Sequence, residues 1–313
     1  MRLAAVVINY RTPELTARVV TALLAELQGV GSHVLFLVDN QSGDHSLAYF
    51  AAQRWGDRVK IIAAPRNGGY GYGINLAVQH ARALPAAPEY IYVLNSDAFA
   101  DPGSLPGLLR ALDADLQAGV AGSRICGPDG ETQVTAFRFP TLLGELEQTG
   151  RFGLLSRLLH RFAIPMDEPP ATAAVDWVSG TSLLIRRRVF EDTGGFDEEY
   201  FLYFEETDFC RAARARGWKV LYVTGAPITH LGSVSTGMSD GMRPMPRYWF
   251  ESRHRYLLKH HGLAYTAACD AAWLFGQLIW RAKQRLLGRP TADRPHLLTD
   301  FLAASARDLA LHR

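Results

Sequence analysis

The chain has 313 residues, 48% apolar and 20% charged, with 33 Lys and Arg against 31 Asp and Glu. That composition excludes a wholly disordered chain, and a net formal charge of +2 supplies no global field that would select nucleic acid as a partner. The length fits about two domains at ~150 residues each, or one α/β domain with an appendage. Cys126, Cys210 and Cys269 are odd in number, widely separated and outside any CxxC pair, which argues against a zinc site or disulfide framework and for a reducing compartment.

An apolar run at 3–8 reads as a first strand; it is too short for the core of a secretory signal. No stretch of 18 uncharged apolar residues is present, so no transmembrane helix is expected. A helix opened by Pro13 follows to about 27, then a strand at 34–38, a polar turn and a helix to about 54. A strand at 59–63 leads into a glycine-rich loop and a helix to about 84, and a strand follows at 90–94. Continuous apolar strands alternating with helices are the pattern of βαβ units around a buried parallel sheet. Beyond residue 100 the pattern predicts a helix at 101–116, a strand at 120–125 and a loop with one short helix over 139–170. A strand at 178–185, a helical turn at 189–193, a helix at 207–216 ended by Gly217 and a strand at 220–223 come next. A polar Gly/Ser/Met loop covers 232–246, and helix continues from Arg247 with a break near 288–290.

Ligands of open α/β sheets sit beyond the carboxyl ends of the strands. Here those ends read Asn9-Tyr10-Arg11, Asp39-Asn40-Gln41-Ser42, Arg66-Asn67-Gly68-Gly69 and Asn95-Ser96-Asp97. Each alone reads as an ordinary turn or cap; four polar ends at one sheet edge favour a polar ligand. The segment Asn67-Gly68-Gly69-Tyr70-Gly71-Tyr72-Gly73 fails as a dinucleotide fingerprint, because Ile74 stands where the third glycine belongs and the loop follows the third strand. Asp97 can hold a hard divalent cation on a diphosphate or cap a helix. Glu205, Glu206 and Asp208 form the densest acidic cluster, flanked by Tyr200, Phe201, Tyr203 and Phe209. Burial and mutual repulsion there raise carboxyl pKa values toward those of a general base, whereas a helix start would also collect acidic residues. His230 is a lone histidine that gains a role only if it faces Asp97.

Taken together over about residues 3–260, these motifs resemble the inverting nucleotide-sugar glycosyltransferases of family 2, with the GT-A fold, closest to rhamnosyltransferase-like and galactofuranosyltransferase-like members. The set includes Val6-Val7-Ile8-Asn9-Tyr10, Val38-Asp39-Asn40-Gln41-Ser42-Gly43-Asp44, the glycine-rich loop through Asn75, Leu94-Asn95-Ser96-Asp97, Gly180-Thr181-Ser182, Gly194-Gly195-Phe196-Asp197 and Phe204-Glu205-Glu206-Thr207-Asp208 with Gly217-Trp218. The resemblance implies an α/β catalytic domain with a Rossmann-like mixed sheet over 1–246, divided into a nucleotide-sugar half, 1–100, and an acceptor half, 101–246. A helical extension would cover 247–313. It implies donor contacts at Asn9, Tyr10, Arg11, Asp39, Asn67, Gly68, Gly69, Asn75, Asn95 and Ser96, and acceptor contacts at Asp176, Trp177 and Gly180. Asp97 and His230 would hold Mg²⁺ or Mn²⁺, and Glu206 would be the base among Glu205, Glu206 and Asp208. Two departures stand out. Asn95 replaces the first Asp of the Asp-x-Asp motif, and Glu206 stands where Asp is usual, which keeps Asp208 as an alternative base.

The implied reaction is a single inverting displacement from a nucleotide-diphosphate sugar, dTDP-rhamnose first among candidates with UDP- and GDP-sugars as alternatives, to a hydroxyl of a glycan or lipid-linked acceptor. A nucleotidyltransferase should carry a glycine-rich basic loop after strand one, which Asn9-Tyr10-Arg11-Thr12 does not provide; a non-catalytic nucleotide-sugar-binding scaffold is the other alternative. In the tail, Phe275, Leu278, Ile279, Ala282 and Leu286 fall on one helical face, with Trp273 and Trp280 on the same helix and Arg281, Lys283, Arg285 and Arg289 crowding its end. Such a basic amphipathic helix fits peripheral contact with an anionic membrane surface and equally fits packing on the catalytic domain or on a second subunit in a homodimer. The implied location is cytoplasmic, with the membrane's cytoplasmic face as the site of any such contact.

Overall fold

The computed structural model describes residues 1–151, 153–232, 242–291 and 293–311. In chain order the elements are β1 (Leu3–Asn9), α1 (Pro13–Leu27), β2 (His33–Asp39), α2 (Ser46–Ala51), β3 (Val59–Ala63), α3 (Tyr70–Arg82), β4 (Tyr90–Asn95), β5 (Ala98–Ala100) and α4 (Ser104–Ala114). They continue with β6 (Ala118–Cys126), β7 (Ala136–Phe137), α5 (Leu142–Gly150), α6 (Gly153–Leu159), β8 (Ala173–Val175), β9 (Trp177–Val178), β10 (Ser182–Arg186) and α7 (Arg187–Thr193). The last are α8 (Glu205–Ala215), β11 (Lys219–His230), α9 (Arg247–Leu286) and α10 (Leu297–Leu311). Two compact units result: Met1–Ala136 with Asp167–Phe201 and Glu205–Gly237, and Phe137–Met166 with Leu202–Phe204 and Met238–Arg313.

The first unit is built on one nine-stranded sheet in the order β3-β2-β1-β4-β10-β6-β11-β5, with β8 alongside β11. β3, β2, β1 and β4 run parallel, as the alternating pattern predicts. β10 is antiparallel to both β4 and β6, and β5 antiparallel to β11, which makes the whole sheet mixed. β1 lies between β2 and β4 and is buried at all seven positions, which explains its unbroken apolar run: a central strand has both faces covered. One face of the sheet, with Leu3, Ala5, Val7, Leu35 and Leu37, packs under Val19, Val20, Leu23 and Leu27 of α1 and Leu105, Leu108 and Leu112 of α4. Those α1 positions repeat at helical spacing behind a Pro at the start of the helix. α3 approaches β1 through Gly73, where an added Cβ would stand 3.0 Å from Ile8 Cδ1.

The expected strand at 178–185 is interrupted. β9 ends at Val178 and β10 starts at Ser182, and the intervening Ser179-Gly180-Thr181 turn bonds its own Ser179 and Thr181 hydroxyls at 2.9 Å. The helix expected at 207–216 begins two residues earlier, so all three carboxylates lie in the first turn of α8. The strand expected at 220–223 runs on to His230 across an irregularity between Val223 and Pro227, which makes His230 a strand-end residue.

The second unit packs α5 against α9, and α10 against α9. The expectation of a loop with one short helix over 139–170 is corrected here: α5 and α6 are both helices. Thr141 caps α5 by accepting the Gly144 N–H at 3.1 Å. The buried face of α5 is Gly144, Glu145, Thr149 and Gly150, polar and small, so no apolar period announced it. α9 is interrupted at Gly262, whose φ of +78° is closed to most side chains. An aromatic cluster closes this unit, with Trp273 stacked on Phe301 at 3.9 Å and 6°. Beside it Arg253, only 1% exposed, bonds Asp270 Oδ1 at 2.6 Å and Glu145 at 3.2 Å. Asp270 also accepts from His254 at 3.0 Å. Leu202–Phe204 belongs to this unit too, held by the Ser252 hydroxyl donating to the Leu202 carbonyl at 2.9 Å and by Phe204 packed against Tyr256. Of the polar loop expected over 232–246, residues 233–241 lie outside the described residues. No helix among the described residues is long and apolar enough to cross a membrane.

Candidate active site

The carboxyl ends of β1 and β2 form a closed polar network. Asn9 is fully buried; its amide donates to Asp39 Oδ1 at 2.8 Å and to Ser42 Oγ at 3.1 Å, and its carbonyl oxygen accepts from Thr16 at 2.8 Å. Asp39, 3% exposed, further accepts from the Ser42 hydroxyl at 2.5 Å and the Ser42 N–H at 3.2 Å. The Asn9 side chain is therefore a brace inside the fold, and what β1 offers at this edge is its backbone and the following Tyr10 and Arg11. Arg11 carries a left-handed backbone at φ +57°, donates from Nε to the Ser42 carbonyl at 3.0 Å and lies 5.1 Å from the Tyr10 ring centroid.

The glycine-rich loop is attached to β2 by Asn40, a residue the sequence motifs contain but did not mark as a site residue. Its amide donates to Asn67 Oδ1 and to the Gly69 carbonyl, each at 3.0 Å, while its own Oδ1 is buried without a hydrogen-bond partner. Gly69 has φ +90°, and a Cβ there would stand 1.9 Å from the Phe201 carbonyl oxygen. At Gly68 a Cβ would meet the Tyr72 ring at 2.4 Å, and at Gly71 it would meet Phe196 at 3.0 Å. These glycines are thus demanded by the protein's own packing. Asn75 is spent elsewhere: its amide donates to the Phe196 carbonyl at 2.8 Å and Glu198 at 3.0 Å, and accepts from the Phe196 N–H at 3.0 Å. It anchors the 195–198 turn.

β4 ends at Asn95, whose N–H donates to the Thr181 carbonyl at 2.9 Å. Ser96 and Asp97 follow, both buried. The antiparallel pairing of β5 with β11 sets Ala98 opposite His230, and the Leu231 N–H donates to the Asp97 carbonyl at 3.0 Å. The two side chains consequently meet: His230 Nε2 lies 3.1 Å from Asp97 Oδ1, at 15% and 7% side-chain exposure. His230 does face Asp97, the condition under which the sequence gives it weight.

The acidic cluster is set by the start of α8. Tyr203 and Phe204, directly before it, both adopt left-handed backbone at φ +67° and +68°, a conformation costing ~1–3 kcal/mol for a non-glycine residue unless its surroundings hold it. Glu205 and Asp208 are buried, at 3% each, and Glu206 is half-buried. Glu206 Oε1 accepts the Gly180 N–H at 3.4 Å, while Oε2 of both Glu205 and Glu206 is buried without a hydrogen-bond partner. Burial, and then the charge of Glu206, hold the Glu205 carboxyl well above the usual carboxylate range; burial also raises Glu206. Tyr200 donates to Asp208 at 3.4 Å. Tyr70, the first residue of α3, donates its phenol proton to the Gly180 carbonyl at 3.2 Å. Burial pushes that phenol well above its ordinary value, and the charges of Glu205, Glu206 and Asp97 add to the effect. Tyr70 therefore lies within electrostatic reach of both the Asp97–His230 pair and the α8 carboxylates. It was legible only as a loop tyrosine, because its position depends on α3 meeting the Ser179–Thr181 turn.

Gly180 joins this locus, but Asp176 does not. Asp176 pairs with Arg214, nine residues beyond Glu205 along α8, which at 1.5 Å per residue is ~13 Å away. Trp177, its neighbour in β9, is half-buried.

The mixed sheet carries polar strand ends, a glycine-rich turn, a carboxylate–imidazole pair and raised carboxyls, the make-up of an α/β enzyme with a polar ligand site at the strand ends. The chain belongs to the glycosyltransferase like family 2, whose model matches residues 1–252, and it is a glycosyltransferase of the hexosyltransferase class with the GT-A fold. It is 29% identical over 274 residues, 84% of this chain and 82% of the relative, to the N-acetylglucosaminyl-diphospho-decaprenol L-rhamnosyltransferase of Mycobacterium tuberculosis. It is also 26% identical over 168 residues, 52% of this chain and 60% of the relative, to rhamnosyltransferase WbbL of Escherichia coli. Among solved structures, the mannosyltransferase PcManGT of Pyrobaculum calidifontis, in complex with GDP-Man and Mn²⁺, shares the fold at TM-score 0.56 and 15% identity, covering 100% of this chain and 81% of that one. TarS of S. aureus in complex with UDP-GlcNAc does so at TM-score 0.58 and 16% identity, covering 97% and 79%.

Proposed function

We propose that this glycosyltransferase transfers L-rhamnose from dTDP-rhamnose to a hydroxyl of a lipid-linked glycan, with inversion in one displacement. The observation that carries the mechanism is Glu206: a half-buried carboxyl, raised by burial, with one oxygen on the Gly180 N–H and the other without a partner. A carboxyl so raised and half-exposed suits proton abstraction from an acceptor hydroxyl near neutral pH. Asp208 is less suited, being 3% exposed and already bonded by Tyr200. The sugar and the acceptor class are taken from the relatives named as rhamnosyltransferases, one of them acting on a decaprenol-linked substrate.

The Asp97–His230 pair fits a divalent cation. Its two donors stand 3.1 Å apart, the spacing of adjacent vertices about a small cation with bonds of ~2.1 Å. Among the described residues no group of three or more His, Cys, Asp or Glu could hold a metal. Two protein ligands leave places for water and diphosphate oxygens, the usual pattern for Mg²⁺. Bound there, Mg²⁺ or Mn²⁺ would supply charge stabilisation to the leaving nucleoside diphosphate. Asp39, Tyr10, Arg11 and Asn67 would position the nucleotide, with residues 1–246 as the catalytic portion. Two buried cysteines, Cys210 and Cys269, suit the reducing cytoplasm.

The test is single-turnover transfer from dTDP-rhamnose to a polyprenyl-diphospho-N-acetylglucosamine acceptor, with UDP- and GDP-sugars as competing donors. Activity in wild type, loss in Glu206→Gln and retention in Asp208→Asn is the expected result. Loss in Asp208→Asn with activity kept in Glu206→Gln moves the base to Asp208. Turnover of another donor in preference to dTDP-rhamnose overturns the sugar assignment.

A further inference from the structure

After the break at Gly262, α9 presents its two faces in an unexpected order. Its buried positions include Gln277 and Gln284 beside Trp273 and Gly276. Phe275, Leu278, Ala282 and Leu286 are exposed, Phe275 and Leu278 at 58% and 59% and Leu286 at 88%. Spaced at three and four residues, they form one stripe along the helix, and Leu287 at its end is 52% exposed. A helix that turns glutamines inward and its apolar stripe outward is built to cover that stripe with something else.

The charge around the stripe says what. Between Asp270 and Asp293 the sequence has no acidic residue, while Arg281, Lys283, Arg285 and Arg289 fall within that stretch. Arg281 is neutralised by Asp293 at 2.9 Å. Lys283 lies 5.7 Å from the Trp280 ring centroid and Arg151 lies 5.4 Å from the same ring, which gathers further cations at this end of the helix. Arg285 and Arg289 are exposed. An apolar stripe one helix wide, flanked by cations, complements an anionic lipid surface. A second copy of this chain would bring the same cations to the contact and repel itself.

We propose that α9 from about Gly262 to Leu286 is an interfacial helix that docks the enzyme onto an anionic bilayer, with Phe275, Leu278 and Leu286 entering the acyl boundary and Arg285 and Arg289 meeting lipid phosphates. The helix lies on the membrane and does not span it. The inference is independent of which sugar is transferred and of which carboxylate is the base.

The experiment is flotation of the full chain with vesicles of phosphatidylcholine alone or with 30% phosphatidylglycerol, at low and high salt, alongside light scattering. Wild type is expected to float with the anionic vesicles, weakly with the neutral ones, and to be released by salt. Phe275→Glu/Leu278→Glu is expected to lower the partition coefficient at least tenfold. Arg285→Glu/Arg289→Glu, at exposed positions where folding is not at stake, should do the same for anionic vesicles only. Leu116→Glu, a change at an apolar residue 79% exposed in the turn between α4 and β6, should leave binding unchanged. The proposal is overturned if wild type fails to float, or if both double variants float like wild type. It is also overturned if the stripe variants instead dissociate a dimer seen by light scattering, which would make this face a contact between copies.

Discussion

Two of the buried acidic sites in this chain are treated in opposite ways. In the C-terminal unit, Glu145 and Asp270 close around Arg253, with His254 on Asp270. Burial works against the Asp270 carboxylate, but His254 and Arg253 outweigh it and hold the group below the usual range. Burial likewise works against the Arg253 charge, and its two carboxylates more than compensate. At the start of α8, the buried Glu205 and the half-buried Glu206 are neighbours, each with one oxygen lacking a hydrogen-bond partner, and both carboxyls are raised. Neutralised carboxylates make a structural tie. Carboxyls left protonatable near neutrality are costly to the fold and useful for moving a proton.

The sharpest way to break this contrast is to remove each group's function in turn. Glu206→Gln should lower turnover by ~10²–10⁴-fold and leave the thermal midpoint near or above wild type; an equal loss of stability would make Glu206 a structural residue like Glu145. Arg253→Ala should do the reverse. It removes the cation between two buried carboxylates, leaving Asp270 to His254, and should destabilise the chain by ~3–5 kcal/mol in urea unfolding, with specific activity of the remaining folded enzyme largely kept. Asp97→Ala should abolish the Mn²⁺-dependent part of donor binding, read by calorimetry with and without metal, because it removes one of the two side chains that would hold the cation.

Smaller still, and most diagnostic, is the pH dependence. Glu205 has its folded value raised, so its contribution to stability is full below the ordinary carboxylate value of ~4.3 and is lost as pH rises through the folded value. Asp270 has its folded value lowered, so its contribution is present above the ordinary ~3.9 and is lost as pH falls through the folded value. Urea midpoints should therefore show Glu205→Gln gaining on wild type as pH rises toward 8. Asp270→Asn should lag wild type near neutrality and converge with it in acid. Parallel curves for the two variants would erase the distinction between the sites.

Much of this was open to reading without coordinates. The apolar runs of β1, β2 and β4 are central strands, and such strands must be continuous to be covered on both faces. Asp39, Asn95 and Asp97 come at or just beyond strand ends, because the sheet topology that buries those runs also carries their polar ends to one edge. The helical tail and its apolar stripe from Phe275 to Leu286 were legible because amphipathic period is a local property; that Phe275, Leu278 and Leu286 are exposed while Trp273 is buried and Ile279 half-buried was decided by tertiary packing. α5 was missed, since its buried face is glycine, glutamate and threonine and carries no apolar period.

What the sequence by itself determined, then, is the order and kind of elements, the family, and a short set of polar residues at strand ends and in one acidic turn, all encoded in neighbouring residues. Only the tertiary structure decided which of those polar residues meet. His230 stands beside Asp97 because β5 pairs antiparallel with β11, across 133 positions of chain. Tyr70 reaches Gly180, and Gly180 reaches Glu206, through contacts 110 and 26 residues apart. Asp176 was drawn away to Arg214, and Asn75 to the 195–198 turn, by partners that no local pattern names. Long-range pairing selects among candidates of the same chemical type, because a carboxylate's role follows from what neutralises it, and that partner lies far away in the chain.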